Sequence, residues 1–257
     1  MVRRLIIIKL GGSVITLKNQ PLTPNLKAIQ NLSYAISQSS VNVVIVHGGG
    51  SFGHYYANKY GITTESKWYS AEGISKTKLA MLKLHMYILE ALEHYNLYPY
   101  SIPPITFLHN GEADERKRDF LKGLIKINIT PVTFGDIILT NNGFQVISGD
   151  TLVRILAELL HPNCVIFTMD VDGVYQRIDS PNTLIPIIDV EKNLEISLLK
   201  APFDVTGGMK LKLAEALKIS SLGIDVYFIN GLKIEQVIKA LKGESFIGTI
   251  IKGIKHG

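Results

Sequence analysis

Five short apolar runs punctuate the chain, at residues 5–10, 41–46, 131–134, 165–169 and 226–229. They are nearly continuous rather than alternating, so each needs cover on both faces. Stretches with helical character separate them, at residues 25–37, 71–94, 151–160, 211–222 and 234–241. Such alternation is the pattern of a parallel sheet flanked by helices. One departure is expected. Residues 136–147 read as a β-hairpin turning at Asn142-Gly143, which makes the sheet mixed. The sequence shows no long linker, low-complexity segment or tandem repeat. Its softest division lies near residue 160, where one glycine-rich half gives way to another.

Three glycine-rich turns stand beside these runs. His47-Gly48-Gly49-Gly50-Ser51-Phe52-Gly53-His54 follows the second run, with four glycines in six positions. Such a backbone can turn sharply and bring its N–H groups against an anion. Lys9-Leu10-Gly11-Gly12-Ser13 closes the first run, and Asp204-Val205-Thr206-Gly207-Gly208-Met209 precedes Lys210 and Lys212. Three phosphate-sized turns, each near a cation, point to a substrate carrying several phosphates. None is a P-loop, because no GxxxxGK[ST] occurs, and none fits the dinucleotide fingerprint GxGxxG.

Bulk properties narrow the partners. At 257 residues, 46% hydrophobic and 19% charged, the chain can bury a large core. A net charge of +5 suits anionic small substrates as well as nucleic acid. The lone basic triplet, Arg116-Lys117-Arg118, lies among Glu112, Asp114, Glu115 and Asp119, which reads as a solvated segment. Without aromatic residues interleaved with basic ones, nucleic acid is not an expected partner. The single cysteine, Cys164, sits in an apolar run and reads as a buried small hydrophobe, consistent with a reducing compartment. No apolar run approaches the ~18 residues of a membrane span. Lys9 interrupts the apolar start, which therefore reads as a core strand rather than a signal. A cytoplasmic location and no membrane partner are expected.

Individual residues carry the chemistry. Lys9 ends the first strand, where an ammonium can hold a phosphate oxygen; burial there without a partner would be costly. Lys18 reads by itself as an exposed loop residue. His54 is expected near the N-terminus of a helix fed by its glycine loop, where an imidazole can donate to an anion. His47 is expected to anchor the turn. The acidic candidates are Asp136, Asp150, Asp170, Asp172 and Asp204. Asp150 either caps a helix or fixes Lys9. Asp170 and Asp172 follow a strand, at the edge where open α/β sheets bind ligands, although Asp172-Gly173 equally makes a turn.

Taken in order, Lys9-Leu10-Gly11-Gly12-Ser13, His47-Gly48-Gly49-Gly50, Ser148-Gly149-Asp150, the segment 168–174 and the segment 204–210 resemble the amino acid kinase superfamily over nearly the whole chain. Within it, Gly50-Ser51-Phe52-Gly53-His54, with Lys18 following Lys9, is similar to the isopentenyl phosphate kinase family; fosfomycin kinases are similar at the same positions. The resemblance implies a three-layer αβα sandwich around an open, mostly parallel sheet. It implies one domain over residues 1–257, with a substrate-binding half at 1–160 and a nucleotide-binding half at 161–257. The implied reaction is ATP-dependent phosphorylation of isopentenyl phosphate to isopentenyl diphosphate. Mg²⁺ would bridge the nucleotide phosphates, no side chain is assigned as a metal ligand, and a homodimer is expected.

Residue roles follow from the same resemblance. Lys9, Gly11, Gly12 and Ser13 would line the ATP phosphates, and Gly50, Asp170, Gly208 and Lys212 would hold the nucleotide. Gly49 and Gly149 would offer backbone groups to the substrate, and His54 would bind its phosphate. Lys18 would stabilise the transferring phosphoryl group and Asp150 would orient lysines. Lys210 and Lys212 both suit a nucleotide phosphate, with Lys212 favoured. Ile74, Thr77 and Met81 share a helix face by their i, i+3, i+7 spacing and, with Ile147, are expected to wall the alkenyl pocket. The same face would equally pack into the core. A phosphonate kinase and a non-catalytic nucleotide-binding regulator are the alternatives; retention of Lys9, Lys18 and Lys212 argues against the second.

Overall fold

The computed structural model describes residues 3–62, 70–176, 183–189 and 207–254. Its strands are β1 (Leu5–Leu10), β2 (Asn42–His47), β3 (Pro99–Ser101), β4 (Leu108–His109), β5 (Glu112–Ala113), β6 (Thr130–Phe134), β7 (Asp136–Thr140), β8 (Gly143–Ile147), β9 (Cys164–Met169), β10 (Ile187–Ile188), β11 (Asp225–Asn230) and β12 (Thr249–Ile251). Its α-helices are α1 (Gly12–Ile15), α2 (Leu26–Ser37), α3 (Gly50–Lys59), α4 (Ala71–His94), α5 (Arg118–Lys126), α6 (Gly149–Leu160), α7 (Gly207–Ser220) and α8 (Ile234–Lys242).

The first apolar run lies in the middle of the main sheet, whose order is β10-β12-β11-β9-β1-β2-β6-β3. On one side β1 pairs in parallel with β2, Lys9 opposite Val46; on the other it pairs in parallel with β9, Lys9 opposite Phe167. Strands from the two halves of the sequence therefore meet at the β1–β9 seam. The sheet is mixed, as expected, but for a different reason. Hairpin β7–β8 forms a separate two-stranded sheet, and the antiparallel member of the main sheet is β12 against β11. The hairpin loop also lies one residue earlier than expected. Thr140 pairs with Gly143, whose φ of +98° closes the turn.

Helices cover both faces, giving the three layers. Ile6, Ile8 and Leu10 point into a core shared with α2, α4 and α8, while Ile7 points into one shared with α5, α6 and α7. That two-residue period buries every β1 side chain from Ile6 to Leu10, Lys9 included. Side-chain caps mark the helix starts. Asn25 accepts from Ala28 N, Ser70 from Gly73 N and Ser148 from Thr151 N, at 3.2, 3.0 and 3.1 Å. Each such cap is worth about 1 kcal/mol. Cys164 is fully buried, and burial pushes its thiol up to about 11. None of the described helices is long and apolar enough to cross a membrane.

Candidate active site

The parallel strands β1, β2, β6 and β9 all end on one edge of the sheet, the position at which open α/β sheets take ligands. A cavity of about 640 Å³ opens there. The turns after β1 and β2 form part of its wall and touch each other directly. A Cβ on Gly12 would stand 2.4 Å from Gly50 N, and one on Gly50, at φ +46°, would stand 2.5 Å from Gly12 O. Only glycine lets these two backbones approach so closely. Thr16 ties them further: its Oγ1 donates to Gly12 O at 2.7 Å and accepts from Ser51 N at 2.9 Å.

The charged end is built around Asp150. Its carboxylate accepts from Lys9 Nζ and, at 2.9 Å, from Lys212 Nζ. Both ammoniums stand over the Phe167 ring, 5.9 and 5.5 Å from its centroid. Burial pushes the Lys9 ammonium down to about 8; Asp150 opposes that fall and Lys212 adds to it. For Asp150 burial acts upward, but Lys9 and Lys212 outweigh it and hold the carboxyl below its usual range. The helix cap of α6 is Ser148, not Asp150, so the Asp150 carboxylate is left to the lysines. A second cluster joins Asp170 to Ser13 Oγ at 2.9 Å and to Lys18 Nζ at 2.5 Å. Burial raises the Asp170 pKa, and the bonds from Lys18 and Ser13 more than reverse that.

The expected residues fall as follows. Lys9, Lys18, His54, Asp150, Asp170 and Lys212 all line the cavity, as do Gly11, Gly12, Ser13, Gly49, Gly50, Gly149 and Gly208. Lys212 faces Asp150, whereas Lys210, about 200° around the helix, is exposed. His54 stands one turn inside α3 rather than at its start, because the helix begins at Gly50. Gly50, His54 and Ala57 follow i, i+4, i+7 spacing and together face the cavity. Asp204, Val205 and Thr206 lie outside the described residues.

The other end of the cavity is apolar. Thr77, Met81 and Ile147 line it, each at most 6% exposed. Ile74 does not. It lies two turns before Met81, roughly 10 Å along the axis, and lines a separate groove with Phe144 and Leu79. Ala57, Ile62, Ile137 and Val146 complete the apolar wall and were not singled out from sequence. Only the fold distinguishes an apolar residue that faces a cavity from one that faces the core.

The groups present suit a nucleoside triphosphate: one buried and one partly buried ammonium on a shared carboxylate, beside turns in which a Cβ would collide with main chain. Among the described residues no group of three or more acidic, histidine or cysteine side chains could hold a metal ion. A divalent ion here would rest mainly on phosphate oxygens, with Asp170 the nearby carboxylate, which is usual for Mg²⁺.

A parallel sheet with paired glycine turns and buried lysines at its carboxyl edge describes a phosphoryl-transfer fold of the kind expected. The chain belongs to the Amino acid kinase family, which it matches over residues 4–230. Within that family it is 33% identical to the isopentenyl phosphate kinase of Thermoplasma acidophilum, over 96% of this chain and 100% of that one. It is 34% identical to the isopentenyl phosphate kinase of Methanocaldococcus jannaschii, over 93% and 96% respectively. It superposes on a crystal structure of the isopentenyl phosphate kinase substrate complex with a TM-score of 0.80 and 30% identity, covering 97% of this chain and all of that one.

Proposed function

We infer that this phosphotransferase uses ATP to phosphorylate isopentenyl phosphate, giving isopentenyl diphosphate and ADP. One observation carries the reading beyond the likeness to isopentenyl phosphate kinases. A single cavity has a phosphate-sized charged end and an apolar end closed by Met81, Ile137, Val146 and Ile147. That is the shape and polarity of a short alkenyl monophosphate lying against a nucleotide.

The chemistry is mainly positioning. The acceptor phosphate is already an anion, so no strong base is needed; two repelling anions must be held in line. Lys9 and Lys212, released in part from Asp150, face the nucleotide phosphates. Asp150 keeps both ammoniums aimed while the site is open. His54 meets the acceptor phosphate from the face it shares with Gly50 and Ala57. Lys18, held by Asp170, has the reach and exposure to swing onto the transferring group. Bound Mg²⁺ would supply further neutralisation of the nucleotide phosphates. Residues 1–160 would supply the acceptor side and residues 161–257 most of the nucleotide side, except that Lys9, Gly11, Gly12, Ser13 and Gly50 cross from the first half. The protein would act in the cytoplasm as a homodimer; the exposed Leu79, Leu82 and Met86 of α4, spaced i, i+3, i+7, offer an apolar face to a second copy.

The test is a kinase assay with isopentenyl phosphate, fosfomycin and acetylglutamate side by side. Turnover of the first well above the other two is expected. Preference for fosfomycin would replace the substrate, and ATP binding without turnover of any of the three would make the chain a regulator.

A further inference from the structure

Directly beneath the glycine turn lies a buried histidine pair that the proposed mechanism does not use. His47 and His85 are 0% and 2% exposed. His47 Nδ1 is 3.2 Å from Gly48 O, His47 Nε2 is 3.0 Å from His85 Nδ1, and His85 Nε2 is 2.8 Å from Ser101 Oγ. Phe134 stacks on the His47 ring at 5.4 Å between centroids and lies tilted against the His85 ring at 4.5 Å. The order of hydrogens in this chain is dictated at one end. A carbonyl oxygen only accepts, so His47 Nδ1 carries a hydrogen. Neutral His47 then accepts at Nε2, His85 donates from Nδ1, and Ser101 donates to His85 Nε2. Burial depresses both imidazoles, to about 3 for His47 and about 4 for His85, so the neutral forms are those present at neutral pH.

The far end of the chain is the cavity. In a trans peptide the N–H points opposite to the C=O. Holding Gly48 O against His47 therefore turns the Gly49 N–H the other way. The Gly49 and Gly50 amides donate to no described residue, and both glycines line the cavity.

We propose that His85 is a positioning residue for the acceptor phosphate: through His47 it fixes the Gly48–Gly49 peptide so that its amide is presented to the substrate. This rests on the reading that Gly49, in the turn after β2, meets the acceptor rather than the nucleotide. Without the donor on His85, the buried Nε2 lone pair of His47 has no partner and the ring loses the bond that holds it in place. Its Nδ1–H is then no longer held fixed against Gly48 O, and the peptide is released.

The experiment compares His85→Leu, which removes the donor, with His85→Asn, whose side-chain amide can replace Nδ1–H. His85→Leu is expected to raise KM for isopentenyl phosphate about tenfold, the size of one lost oriented hydrogen bond, with KM for ATP within about twofold of wild type. His85→Asn is expected to recover most of that loss. Nitrogen-15 NMR of His47 is expected to show Nδ1–H in all three proteins, because Gly48 O dictates that tautomer, with the Nε2 signal moved downfield in His85→Leu alone, as for a nitrogen that has lost its hydrogen bond. The proposal is overturned by Nε2–H on His47 in the wild type, by equal rises in both KM values, or by a folded His85→Asn protein no better than His85→Leu. If His85→Leu fails to fold, His85→Asn decides: near-normal KM with Nδ1–H supports the proposal, and raised KM or Nε2–H ends it. Should wild type not turn over isopentenyl phosphate, the substrate reading fails while the NMR arm still tests the hydrogen-bond chain.

Discussion

The two ends of the cavity are made differently. The charged end sits on the carboxyl edges of central strands. Its key atoms are main chain or lysines held by Asp150 and Asp170. The apolar end is made by helices α3 and α4 and by hairpin β7–β8, which stands outside the main sheet. The first is specified by charge; the second is shaped mainly by packing, with one buried carboxylate in its wall, Asp136, paired with Lys78 of α4. Substitutions at the first should therefore cost rate, and substitutions at the second should alter substrate choice and stability together.

The sharpest break in that contrast would come at Lys18. Lys18→Ala is expected to lower kcat on the order of 10²-fold or more, with smaller changes in either KM, because an interaction made only in the transition state appears in kcat. If ATP affinity alone changes, Lys18 is an ordinary phosphate ligand. His54→Ala comes next. Losing a charge-assisted hydrogen bond to phosphate costs about 1.5–3 kcal/mol, so kcat/KM should fall roughly tenfold to a hundredfold. ATP binding should be nearly intact and His54→Gln milder. Steady-state kinetics and nucleotide titration check both, and wild-type kinetics in His54→Ala would remove it from the site.

At the apolar end, Met81→Ala combined with Ile147→Ala should shift kcat/KM from isopentenyl toward geranyl phosphate by about tenfold. Both side chains are 3% exposed as well as cavity-lining, so each truncation should also cost about 2–5 kcal/mol of stability and lower the melting temperature. A lowered melting temperature with an unchanged substrate ratio would make them core residues only. The smallest effect concerns pH. Lys9 has its pKa lowered to about 8, chiefly by burial, so above that pH it binds nucleotide only by taking up a proton. KM for ATP should be flat below pH 8 and rise above it, by at most about tenfold per pH unit. No rise up to pH 9.5 would mean that Lys9 keeps its charge or does not meet ATP.

The same contrast explains what could be read without coordinates. Lys9, at a strand end beside a glycine pair, is legible because its chemistry is out of place in an apolar run, and it does converge with Asp150 and with Lys212 from helix α7. The strand–helix alternation likewise announced the parallel sheet. Ile74 misled because helical spacing gives direction around an axis but not distance along it. Ala57, Ile62, Ile137 and Val146 were invisible because a cavity wall and a core have the same composition. Strands β3, β10 and β12, two or three residues long, are too short to carry a period. The hairpin was legible locally; its separation from the main sheet is a tertiary fact.

The touching glycines of the first two turns have a consequence for how such a protein can diversify. On the proposed reading, the first turn carries the donor's phosphates and Gly49 of the second meets the acceptor's, and their separation is set by main chain against main chain, with the Thr16 hydroxyl bridging the two. No substitution at the touching glycines can adjust that gap finely, since even one added carbon at Gly12 or Gly50 collides with backbone. The distance between reacting groups is thus locked against gradual change. Innovation in what the protein accepts is channelled to the hydrocarbon end, where side chains can be exchanged one at a time.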